Sequence, residues 1–365
     1  MLKPVTDFPA VMTTIGEENL ARIEMLTEFK KILKRYGYTV GAEFKGFRLG
    51  DWAKDSADII VNRLGGRITY HPPEPVSFGL AETGKLTEAL EAIAEDVPIF
   101  VSKYPLELVT IHGDVCQKPE EFGNVLIDCY KSQIEPGELF ARILRQIPPL
   151  RIFNDRVGGI LSLENTPILM HWGKLTPGVV FSIGHYTGCW LDLAYLAKEI
   201  ACAITLDIAH YRESSLFLAR KAEFGRLPKW SAENLSADEK RIHQLTGYYM
   251  RKNQPPFISR NIGFGRYCQI TRPRHFHIEG GLHCLDKHQK IAGHILIDYS
   301  NSEMRRTMPQ VFSWLLGNQC IGIVHEAMGW QPDWSRRTSD DEWVKHQSLE
   351  ETVRFIQDNP QIHNI

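Results

Sequence analysis

Histidines and carboxylates recur at, or just past, the ends of short apolar runs along the whole chain. They are His71 in ITYHPP, His112 in VTIHGD, Glu164 in LSLENT, Asp207 and His210 in TLDIAH, His277 in HFHIEG, Asp286 and His288 in LDKH, and Glu326 in IVHEA. A short apolar run that stops at a polar turn reads as a buried strand leaving the core. Between the runs lie stretches of helical period: residues 17–36, then LTEALEAIAEDV, PGELFARILRQI, CWLDLAYLAKEIA and MPQVFSWLLGN. Strands alternating with helices of this length imply parallel pairing through crossovers. YTVGAEF adds a further strand, and PAVMTTIG holds the weakest candidate, the first. One reactive side chain after each strand is how a (β/α)8 barrel builds its active face. The expected fold is therefore α/β, a (β/α)8 TIM barrel with long βα-loop insertions. Residues 1–330 are expected to form one barrel domain and 331–365 a C-terminal tail or helix.

Bulk properties narrow the function classes. The 365 residues suit one large barrel or two smaller domains, and 43% hydrophobic residues can fill a substantial core. A net charge of −2 gives no global pull toward nucleic acid or a membrane surface. No apolar run approaches the ~18 residues of a membrane span, and MLKPVTDF lacks the apolar core of a signal peptide. Seven scattered cysteines with no CxxC suit a reducing cytoplasm and speak against a thiolate zinc site. No membrane partner and a cytoplasmic location are expected.

Two segments exceed a minimal barrel, 167–187 and 211–274. The second carries thirteen Lys and Arg against five Asp and Glu, and eight aromatic residues from Phe217 to Tyr267 stand out in it. A basic, aromatic insert beside an acidic cleft suits a phosphate-bearing or stacked substrate. A cover whose aromatics pack on the barrel is the plainer reading.

Each chemistry-bearing residue also has a plainer reading. His71 before Pro-Pro can cap a turn, and Asp207 can cap the following helix. Asp207-x-x-His210 and Asp286-x-His288 have spacings at which two side chains can serve one ion. Glu326 ends the last strand, where a buried carboxylate needs a partner or a cation. Four acids converging in one cleft would repel unless cations neutralised them. Metal is the reading that accounts for the set.

In this order the motifs ITYHPP, VTIHGD, LSLENT, LDIAH, HFHIEG, DKHQKIAGHILID and VHEA resemble the endonuclease IV branch (AP endonuclease family 2) of the xylose-isomerase-like TIM-barrel superfamily. The resemblance runs from about residue 39 to 330, the two long loops excepted. The first helix and YHPP also look like the UV-damage endonuclease relatives. It implies up to three divalent ions, zinc or manganese with iron as an alternative, on nine ligands. His71 and His112 would hold one ion and share Glu164 as a bridge to a second. Asp207, His277 and Glu326 would complete that second site, and His210, Asp286 and His288 would hold the third. His275 lies on the same strand face as His277, so these two can exchange roles.

Two activities follow from the resemblance. One is metal-dependent hydrolysis of a phosphodiester, DNA included, with water aligned by Glu164. The other is single-ion sugar isomerisation or epimerisation, with Glu164 and Glu326 passing a proton on opposite faces of a ketose and His210 helping to hold it. Iron oxygenation uses the same ligand types.

Overall fold

The computed structural model describes residues 7–17, 22–46, 48–72, 77–78, 83–113, 144–165, 170–171, 181–182, 190–219, 262–279, 282–285, 291–292, 299, 302–326 and 341–363. Eight parallel strands close into a barrel: β1 Ala10–Ile15, β2 Thr39–Lys45, β3 Arg67–His71, β4 Leu106–Gly113, β5 Leu161–Glu164, β6 Ala203–Asp207, β7 His275–Ile278 and β8 Gly322–His325. Each pairs with its sequence neighbours, and β8 returns to β1, so no edge remains open. PAVMTTIG does hold the first strand.

Helices fill the crossovers: α1 Arg22–Arg35, α2 Asp51–Ala57 running into a π-helical turn at Asp58–Arg63, α3 Thr83–Ala94, α4 Asp96–Lys103, α5 Ile147–Arg156, α6 Trp190–Ile200, α7 Ile208–Ala219, α8 Phe264–Thr271, α9 Ser302–Gly317 and α10 Asp341–Asp358. The helix expected at PGELFARILRQI lies mostly outside the described residues, with Leu144 helical near its end, and a further helix follows at Ile147–Arg156. Pro148 and Pro149 sit in its first turn, where no intrahelical N–H is needed, so the proline pair opens this helix. α10 packs on β1, β8 and α1 and stands where an eighth barrel helix belongs.

Strand alternation sorts the core into two parts. Outward side chains such as Val11, Val40, Phe44, Ile68, Ile111, Leu163, Leu206, Phe276 and Ile323 join the helices in one apolar layer. The inward face is different. At its lower end Ala10, Met12, Leu108, Ile321 and Val324 form a small apolar plug. Arg67 sits there too, gripping Glu107 with two nitrogens at 2.6 Å and donating to the carbonyls of Phe8, Cys320 and Ile321. Above lies a belt of hydroxyls in which Thr205 meets Ser162 at 2.8 Å and Thr110 at 3.1 Å. At the C-terminal mouth the inward positions are acids and imidazoles. Branched apolar residues usually fill such an interior; here its upper half is polar.

Two short antiparallel ladders lie in the loops. Met170–His171 pairs with Phe181–Ser182, and Leu282–Leu285 with Ile291–Ala292. The first falls inside the 167–187 insertion. Of the 211–274 insertion, residues 220–261 lie outside the described residues. No helix among the described residues is long and apolar enough to cross a membrane.

Candidate metal centre

Seven of the nine expected residues are described, and each sits where a strand or the loop after it reaches the mouth. His71 ends β3, His112 lies near the end of β4, Glu164 ends β5 and Asp207 ends β6. His277 is on β7 and Glu326 follows β8, while His210 occupies the first turn of α7. Asp286 and His288 lie outside the described residues.

Glu164 is the hub. Its Oε2 stands 3.2 Å from His71 Nε2 and 3.5 Å from His112 Nε2. Its Oε1 stands 3.3 Å from His277 Nδ1 and 3.9 Å from His210 Nδ1. His277 Nδ1 is also 3.5 Å from Glu326 Oε1. Three groups of these residues have metal-ligand spacing: His71, His112 and Glu164; Glu164, Asp207, His277 and Glu326; and His71, His277 and Glu326, which spans the other two. His210 is in none of them, though its ring lies beside Glu164 and Asp207.

Local structure explains several of these placements. Asp207 Oδ1 accepts the His210 backbone N–H at 2.7 Å, so this carboxylate does cap a helix. Its Oδ2 is buried with no hydrogen-bond partner, so capping uses only half of the group. Asn165 ties the end of β5 to that of β6, accepting from Asp207 N at 2.6 Å and donating to Asp207 O at 3.1 Å.

The tautomers fit ion binding. The Nδ1–H of His71 has the Pro72 carbonyl as acceptor at 2.9 Å, which leaves Nε2 a bare lone pair facing Glu164. The Nδ1–H of His210 meets the Asn165 carbonyl at 2.9 Å in the same way. Both oxygens of Glu164, His71 Nε2 and His277 Nδ1 are buried without a hydrogen-bond partner. Potential ligand atoms without hydrogen bonds converge in a buried site, and imidazole with carboxylate suits zinc, manganese or iron. The residues present therefore fit divalent ions.

Electrostatics agree. Burial opposes the charge on Glu164, yet His277 and then His112 outweigh it and hold the carboxyl well below the usual range. Burial likewise opposes Glu326, but Lys45 followed by His277 holds it at about 2. Burial pushes Asp207 up to about 6, with His210 opposing. His112 is pushed by burial down to about 3, against the pull of Glu164, so its imidazole is neutral. For His277 burial is overcome by Glu43, Glu326 and Glu164, which raise it well above its ordinary value.

Two residues of the site were not foreseen, both on β2. Glu43 is fully buried, with Oε2 3.1 Å from His277 Nε2 and 3.5 Å from His275 Nε2. These three also have metal-ligand spacing. Lys45 makes a close ion pair with Glu326 and lies 4.0 Å from Glu43. A signal for both was present. Val40, Ala42 and Phe44 form one face of the strand, and a strand of a closed parallel barrel has no solvent face, so Glu43 and Lys45 must point inside.

No protein-family model matches the chain, and no curated protein matches it. Among solved structures it is similar to endonuclease IV from Thermus thermophilus, at 12% identity and a TM-score of 0.43, covering 96% of this chain and 100% of that one. It is similar to a D-tagatose 3-epimerase-like protein at 14% identity and a TM-score of 0.42, covering 96% and 99%. A Thermus thermophilus protein soaked with ZnCl2 shows 14% identity and a TM-score of 0.42, covering 96% and 98%. By its own strand pairing the chain is a (β/α)8 TIM barrel, and its likeness to these three proteins goes no further than the figures given.

Proposed function

We propose that the protein is a metal-dependent phosphodiester hydrolase, working with two or three zinc or manganese ions at the barrel mouth. The observation that carries this reading is the split of Glu164, whose Oε2 faces His71 and His112 while Oε1 faces His277. A carboxylate with two imidazoles at one oxygen and a third at the other is placed to bridge ions, and a single ion on the Glu164, Asp207, His277 and Glu326 quartet leaves His112 without a use. Paired ions at such a bridge activate water and steady the attacking and leaving oxygens of a phosphodiester.

The chain's own residues supply the rest. His71, His112, Glu164, Asp207, His277 and Glu326 would hold two ions, and His210, Asp286 and His288 are the set for a third. Two divalent ions with Lys45 bring five positive charges, which balance Glu43, Glu164, Asp207, Glu279 and Glu326. One ion brings three and leaves the centre negative. The centre can thus receive a phosphate's charge only when it holds more than one ion. The basic, aromatic composition of 211–274 suits the same substrate class, DNA included.

A second reading rests on the quartet Glu164, Asp207, His277 and Glu326, which alone can hold one ion. In it Glu164 and Glu326 act as the proton-shuttling pair of a sugar isomerase or epimerase. One experiment separates the two. The metal-loaded protein is incubated with an abasic-site duplex and, separately, with fructose or tagatose. Nicking that disappears in Glu164→Gln supports hydrolysis. An epimerised sugar with intact duplex overturns it in favour of the second reading.

A further inference from the structure

We propose that Glu43, seated inside the barrel below the mouth, is a positioning residue that fixes the tautomer of His277 and so presents its Nδ1 lone pair to the ions. The inference rests on the metal reading above and concerns a residue on β2 outside the ligand set expected from the motifs. The two nitrogens of His277 face opposite ways. Nε2 lies 3.1 Å from Glu43 Oε2, and Nδ1 faces Glu164 Oε1 at 3.3 Å and Glu326 Oε1 at 3.5 Å. An ionised carboxylate has no proton to give, so the hydrogen on this contact belongs to the ring nitrogen. With Nε2 held protonated by this contact, the proton that a bound ion would displace is the one on Nδ1, which leaves that lone pair toward the ions.

Three of the mouth histidines follow one rule with unequal acceptors. His71 and His210 have a backbone carbonyl as acceptor, at Pro72 and Asn165. His277, the third, has a carboxylate. A carboxylate behind a metal-bound imidazole orients the ring and strengthens it as a donor. The surroundings of Glu43 keep it charged: His275 Nε2 at 3.5 Å, Lys45 Nζ at 4.0 Å from its other oxygen, and Thr69 Oγ1 donating at 3.3 Å. His275 thus shares Glu43 with His277.

Zinc titration of Glu43→Gln and Glu43→Leu tests the proposal against wild type. Gln keeps an acceptor oxygen but loses the charge; Leu loses both. Ion affinity is expected to fall in the order wild type, Gln, Leu, by roughly 10–100-fold overall, with the number of ions per chain unchanged. A merely structural role would lower the melting temperature and leave affinity alone. Should both variants fail to fold, 15N-histidine spectra of the zinc-loaded wild type decide: His277 protonated at Nε2 supports the proposal, and protonation at Nδ1 overturns it. Wild-type affinity in Glu43→Leu overturns it while leaving the metal reading intact. An anomalous zinc peak between Glu43 and His275 also overturns it, since an ion would then replace the hydrogen bond. A wild type that takes up no zinc removes the metal reading, and this inference with it.

Discussion

At the scale of the residue, the site turns on which atom of a side chain is already spoken for. Asp207 gives Oδ1 to the helix it caps and keeps Oδ2, and His71 gives Nδ1 to a carbonyl and keeps Nε2. Glu164 keeps both oxygens, which no local hydrogen bond occupies. Its charge is therefore the largest unmet demand in the barrel. Glu164→Gln is expected to fold normally by circular dichroism and to lose at least roughly tenfold in divalent-ion affinity, measured by zinc titration, because one bridging charge is gone with little change of volume. The positions of His71, His112, Glu164, Asp207, His277 and Glu326 were legible because each ends an apolar run at a turn. Glu43 and Lys45 were missed because GAEFKGF has the alternation of an ordinary half-exposed strand; their signal shows only when that alternation is read within a closed barrel, which turns the polar face inward.

At the scale of the element, close approach and burial make two further demands. A Cβ added at Gly41 would lie 2.7 Å from the Arg67 carbonyl and 2.8 Å from Met12 Cγ. Gly41→Ala is expected to destabilise the barrel by about 1–3 kcal/mol through overpacking, read by urea denaturation. On β8, His325 faces outward under α10, with Nδ1 2.9 Å from the Met12 carbonyl and Nε2 2.7 Å from Thr352 Oγ1. Thr352 Oγ1 in turn meets Tyr299 OH at 2.7 Å, and Lys345 donates to the His325 carbonyl at 2.8 Å. Burial pushes the His325 imidazole down to about 4, against an ordinary value of 6.5, with Lys345 adding to the effect. The unfolded chain takes up this proton first. The contribution of neutral His325 is complete above pH 6.5 and is lost as pH falls from there through about 4, up to ~3 kcal/mol in all. Denaturation midpoints across that window should fall less steeply in His325→Gln than in wild type. Helix α5 shows what escaped the sequence: no helix was expected past Ile147, and the proline pair in its first turn is what opens it.

At the scale of the whole molecule, the barrel is sealed below by Arg67 and its carbonyl acceptors and open in chemistry above, so charge gathers at one end. That division was legible as a fold, since alternating strands and helices with reactive residues after each strand leave few other architectures. The substrate was not, because the loops that select it in such barrels carry little periodic signal and much of 167–187 and 211–274 falls outside the described residues. If ions neutralise the acids of the mouth, saturating zinc should raise the melting temperature and chelation should reverse it. At 100 times Kd the stabilisation is about 2.7 kcal/mol. The most direct test of a mouth that holds several ions is elemental analysis of the purified protein before and after reconstitution with zinc or manganese. Two to three ions per chain are expected. Fewer than one, with no gain on reconstitution, would contradict a multinuclear centre.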